Sequence, residues 1–143
     1  MVEQHVSNDL QPFLRQLLEA LTAVANGDPE PMKALCSHGD AVSQCGFWGG
    51  VEHGWAEVGE RWDWVAAQFV PGPGVVTAET VLLTATSEMA YGVFLERWWG
   101  QFTSRAEPTE TMIRATLVFR REDGAWKAVH RHGDDRVDKA PPR

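Results

Sequence analysis

Residues 118–134 read VFRREDGAWKAVHRHGD, and this stretch decides the fold. Apolar and polar side chains alternate on both sides of Glu122-Asp123-Gly124, and an Asp-Gly pair between alternating runs is a strong hairpin signal. The pattern predicts strands at 109–121 and 125–134. The same period of two runs back through 75–86 and 89–102, joined by Thr86-Ser87-Glu88, with Arg105-Ala106-Glu107-Pro108 as the following loop. Four consecutive antiparallel strands make a meander.

Upstream the period changes. Leu10, Phe13, Leu14, Leu17, Leu18, Leu21, Val24 and Ala25 recur at intervals of three and four, one apolar stripe on an amphipathic helix. Asp9 is placed to cap its start, and Asn26-Gly27 supplies a left-handed stop. A short helix follows, with Asp28 as cap, Pro29 in its first turn and an end at His38-Gly39. A strand is expected at 41–48, then a third helix over about 54–69, halted by Pro71-Gly72-Pro73-Gly74. Helices segregated from a run of antiparallel strands predict an α+β domain, not a parallel βαβ fold. Three helices against a long, curved, mostly antiparallel sheet make a cone whose wide end suits a ligand.

The 143 residues suffice for one domain, with boundaries read at 8–134 and polar tails at 1–7 and 135–143. Seven tryptophans, at 48, 55, 62, 64, 98, 99 and 126, imply a bulky core or an aromatic-lined pocket. The formal charge of −7 comes from residues 1–70, where Arg15, Lys33 and Arg61 face ten acidic side chains. No basic cluster tracks a phosphate backbone, so neither nucleic acid nor an anionic membrane surface is an expected partner. The polar start has no basic region followed by an apolar one, so no secretory signal is expected there. Cys36 and Cys45 lack metal-site spacing and read as reduced thiols, consistent with a cytoplasmic protein.

The helix order, Gly46-Phe47-Trp48-Gly49-Gly50 leading to Gly54-Trp55, and the final hairpin together resemble the nuclear transport factor 2-like superfamily. The closer resemblance is to its SnoaL-like and ketosteroid-isomerase-like small domains, and it implies a cone-shaped, cystatin-like roll. In steroid isomerases of this kind a general-base aspartate follows helix two, whereas Ala41–Gly46 here contains no carboxylate. Their oxyanion tyrosine lies in helix one, and the single tyrosine here is Tyr91, in a strand. The resemblance therefore points to a small-molecule-binding domain. Any chemistry it implies is cofactor-free acid/base work of the isomerase, cyclase or hydratase type.

Strict alternation puts Trp126, Ala128, His130, His132 and Asp134 on one face of the last strand, expected to point inward. Imidazoles oriented by a carboxylate suit proton transfer, so His130, His132 and Asp134 are candidate catalytic residues. Glu96 joins them as an inward carboxylate on strand 89–102, with a pair to Arg114 as the simpler expectation. Candidate ligand contacts are Trp48, Trp98, Tyr91, Arg114, Thr116, His53 and Trp62. The rival readings are a non-catalytic ligand-binding or dimerising association domain and, third, a metal-dependent enzyme using His130, His132 and Asp134. The nearly equal apolarity of both faces of strand 89–102 suggests a homodimer through the sheet.

Overall fold

The structure is a computed structural model and describes residues 9–143, so the tail expected over residues 1–7 lies outside the described residues. Helix α1 (Leu10–Val24) forms on the expected stripe, burying Leu10, Phe13, Leu17, Ala20, Leu21 and Val24. Full burial of a large apolar side chain is worth about 1.5–3 kcal/mol, so packing rather than helix propensity holds this element. Asn26 follows as a clip. Its side chain accepts from the N–H groups of Gly72 and Gly74 and donates to the carbonyls of Thr22 and Gly74, all at 2.8–3.0 Å. The end of α1 is thereby tied to the start of the sheet.

Asp9 does not cap α1 with its side chain. Its carboxylate instead accepts from Arg121 Nη1 at 2.7 Å and from the Trp126 indole N–H at 3.0 Å, fastening the helix start to the final hairpin. Helix α2 (Glu30–Leu35) is short, and helix α3 (Trp55–Ala66) ends earlier than the sequence pattern implies. The chain leaves α3 so that Phe69 can form an isolated bridge with Phe102.

Among the described residues the strands are β1 (Ser43–Cys45), β2 (Glu52–His53), β3 (Val75–Ala85), β4 (Met89–Gly100), β5 (Thr109–Glu122) and β6 (Ala125–Asp134). Their order is β2-β1-β6-β5-β4-β3. The β1–β6 pair is parallel and the others antiparallel, giving an open α+β sheet with the helices on one face. The expected strand at 41–48 contracts to three residues, and the two-residue β2 carries too little periodicity to be read from sequence. The core lies between helices and sheet, around Phe119, Leu117, Leu10 and Leu21. Among the described residues, no helix is long and apolar enough to cross a membrane.

The β5–β6 ladder carries one irregularity. Val118 pairs with His130, but the next residue, Phe119, pairs with Ala128, leaving Val129 as a one-residue bulge in β6. A bulge shifts the alternation by one position. Trp126 and Ala128 point inward as expected, but beyond Val129 the inward residues are Arg131 and Gly133. His130, His132 and Asp134 therefore lie on the outer face, a correction to the inward row that strict alternation implied.

Candidate functional site

A cavity of about 60 Å³ lies between α3, the loop after β1 and the inner face of β4, β5 and β6. That is room for several water molecules. Its walls are aromatic: Trp62 and Phe69 from α3 and its exit, Trp98 from β4, Phe102 beyond β4, and Phe47 with Trp48 from the loop after β1. Trp48 stands at the rim, 38% exposed, with ring centroids 4.9 Å from Phe47, 5.4 Å from Trp64, 5.7 Å from Phe102 and 6.4 Å from Phe69. These are edge-on contacts, the geometry favoured by the aromatic quadrupole. Phe69 and Trp98 stack deeper inside at 5.9 Å.

Polar groups meet this apolar space along one side. Gln44, buried on β1, is the register neighbour of Arg131 on β6, and both line the cavity. Arg131 is nearly inaccessible and is gripped by the buried Glu96 of β4. Nη1 donates to Oε2 at 2.8 Å and Nη2 to Oε1 at 2.6 Å, and the Trp98 indole N–H adds a bond to Oε1 at 2.9 Å. Burial alone would lower the Arg131 pKa, but the Glu96 charge and hydrogen bonds outweigh it and hold the guanidinium above its ordinary value. The pair is thus a fixed, bidentate union of a buried carboxyl group with a buried guanidinium. Thr109 and Thr111 of β5 bring hydroxyls to the same cavity.

Behind this wall lies Cys36, whose thiol burial pushes up to about 12, against the opposing pull of the Arg131 charge. On the far side of Gln44, Glu52 of β2 continues the polar row. Burial raises the Glu52 pKa, while the Arg61 charge and the Gln44 amide oppose it.

The residues singled out from sequence divide between two faces. Trp48, Trp62 and Trp98 line the cavity, and Glu96 sits directly behind it. Glu96 pairs with Arg131, not with Arg114. Arg114 lies on the outer face and binds Asp134 bidentately at 2.6 and 3.2 Å, so it holds no cavity ligand. His132 is exposed beside Asp134 at 3.4 Å, with Thr116 as its register neighbour on β5. His130 meets the Ser43 hydroxyl through Nδ1 at 2.8 Å. Tyr91 is exposed on the outer face of β4, and His53 is exposed on the edge strand β2. None of these outer-face side chains reaches the cavity lining. Among the described residues, no group of three or more His, Cys, Asp or Glu side chains is placed to hold a metal ion.

Sequence reasoning missed Arg131, Gln44, Phe69 and Phe102. The apolar pattern after Trp126 does not reveal the bulge that turns Arg131 inward, and Gln44 lies in a strand too short to show alternation.

Residues 14–133 match the family model described as a SnoaL-like domain. The chain belongs to this family. No curated protein matches the sequence. Among solved structures, this SnoaL-like domain is similar to a nuclear transport factor 2-like superfamily protein from Salmonella enterica serovar Typhimurium. That likeness has a TM-score of 0.77 and 15% identity, over 92% of each chain. It is also similar to a ketosteroid isomerase-like protein from Erwinia carotovora atroseptica. Here the TM-score is 0.72 and the identity 13%, over 92% of this chain and 99% of the other. At such identities the likeness establishes the fold and leaves function to the site.

Proposed function

We propose that this SnoaL-like domain binds a small, partly apolar cyclic ligand in the cavity between α3 and the inner face of the sheet. The observation that carries this reading is the division of the lining. Stacked and edge-on aromatic rings surround the space, and the buried Gln44 and Arg131 mark one side for polar contact. Pockets that select small molecules combine an apolar lining with a few placed polar groups in this way.

The lining favours binding over catalysis: among the described residues no lining side chain is a carboxylate or an imidazole, and the lining guanidinium of Arg131 is committed to Glu96. The second reading, a cofactor-free acid/base enzyme of isomerase, cyclase or hydratase type, is favoured by the likeness to a ketosteroid isomerase-like protein. It would need Glu96 to exchange its hydrogen bonds when substrate enters.

The outer face of the sheet supports a homodimer as the working unit, since Met89, Tyr91 and Trp99 project from β4 at 41–44% exposure. Free thiols at Cys36 and Cys45 suit a reducing, cytoplasmic setting. A fluorescence titration with small ring compounds tests the central claim, because Trp48, Trp62 and Trp98 surround the site. Quenching by at least one ring, lost in Trp48→Ala, is expected; no response from any ring would refute it. Sedimentation of the wild type beside Tyr91→Arg tests the dimer, which the charged variant should dissociate.

A further inference from the structure

We infer that the Glu96–Arg131 pair makes this cavity selective for uncharged ligands that carry a hydrogen-bond-accepting oxygen, and excludes carboxylates of the same shape. The inference rests on the proposed binding of a small ring compound and specifies the chemistry of its polar end.

Arg131 has five N–H groups, and Glu96 takes two of them. Arg131 lines the cavity, and its two bonds to Glu96 leave three of its N–H groups outside the pair. Gln44, its register neighbour, adds an amide that can both donate and accept. The site is therefore rich in donors, which would ordinarily suit an anion.

Charge decides otherwise. Glu96 is almost completely buried and already neutralises Arg131, so a carboxylate entering the cavity would be a second anion facing one cation. It would shed its hydration without gaining a counter-charge, a heavy penalty in a low-dielectric space. Glu52, next along the row beyond Gln44, adds a further acidic group on that side. A neutral carbonyl or hydroxyl oxygen meets the same donors without that penalty. Glu96 is thus a specificity-determining residue that acts through Arg131.

The test uses benzamide and benzoate, which share a ring and a planar head group and differ in charge. Binding to the full chain is read by tryptophan fluorescence and by calorimetry at neutral pH. Benzamide should bind about tenfold tighter or more. In Glu96→Gln the Arg131 charge is released, and the order should reverse in favour of benzoate. Equal or tighter binding of benzoate by the wild type would overturn the inference while leaving ring binding intact. So would an unchanged preference in a folded Glu96→Gln protein. Absence of binding by both probes would instead count against the ring-binding reading itself. Should Glu96→Gln fail to fold, the wild-type ratio alone decides the matter.

Discussion

Glu96 and Arg131, 35 residues apart in sequence, meet inside the sheet as a bidentate ion pair at 2.6 and 2.8 Å. Removing one partner leaves a buried charge uncompensated, which typically costs about 3–5 kcal/mol, whereas replacing both with apolar residues is often neutral or stabilising. Arg131→Met should therefore unfold at distinctly lower urea concentration than the wild type. Arg131→Met combined with Glu96→Leu should recover most of the loss. Equal midpoints for the single and double variants would contradict the geometry.

His130 and His132 face away from the cavity, and this has a direct consequence for ligand titrations. His130→Asn and His132→Gln should bind a ring compound with the wild-type affinity, within about twofold, since neither side chain lines the space. Gln44→Leu should weaken binding by about tenfold, the worth of roughly one hydrogen bond. A large loss in either histidine variant would place the site on the other side of the sheet.

The two thiols should differ sharply in reactivity. Thiolate is the reactive form, and burial pushes Cys36 up to about 12, while its side chain is inaccessible in the folded state. Cys45 is only half-buried on the outer side of β1. A disulfide reagent at pH 8 should label one thiol per native chain, and Cys45→Ser should remove that phase. The Cys36 signal should emerge only under denaturant.

Acid should remove a defined part of the stability through Glu122. This carboxylate is partly buried, which alone would raise its pKa, but hydrogen bonds from Arg120 and Ser37 bring it below the ordinary value of 4.5. A lowered folded pKa contributes stability that is present above the unfolded value and is lost as pH falls through the folded one. Glu122→Gln should accordingly be less stable than the wild type at pH 7, by on the order of 1 kcal/mol. The two stability curves should converge as the pH drops below 4.5. Urea unfolding across that range measures the gap.

Gly74 marks the closest approach of β3's start to α1. A Cβ there would lie 2.4 Å from the carbonyl oxygen of Ala25, and both partners are backbone-fixed by the Asn26 clip. Gly74→Ala should cost about 1–3 kcal/mol, in the range of overpacked cores. Thermal unfolding, with Gly46→Ala as a control whose Cβ meets open space on a backbone that is not left-handed, separates crowding from the general effect of replacing a glycine.

Much of the architecture was legible in the sequence because its signals are local and repetitive. The α1 stripe, the Asp123-Gly124 turn and the alternation of β4 each repeat one rule over a whole element, and β4 placed Glu96 and Trp98 inward. Two things broke the reading of the site. The Val129 bulge is set by how β6 must register against both β5 and β1, which no pattern within β6 records. Gln44, Phe69 and Phe102 sit in segments of one to three paired residues, where burial depends on distant partners. The chemistry at the cavity therefore hinged on tertiary register, while the frame around it followed from local periodicity.

The bulge also decides which chemistry the inside of the sheet presents. Removing Val129 would simply close the β5–β6 ladder, because Ala128 would stay inward and the residues after it would keep Arg131 and Gly133 inside and His130 and His132 outside. A strand of the same length that paired Val129 within the ladder would instead carry the imidazoles of His130 and His132, with the Asp134 carboxylate, toward the aromatic walls and send Arg131 out. Whether one residue of the final strand is looped out or paired thus separates a receptor-like interior from one furnished with proton-transfer groups.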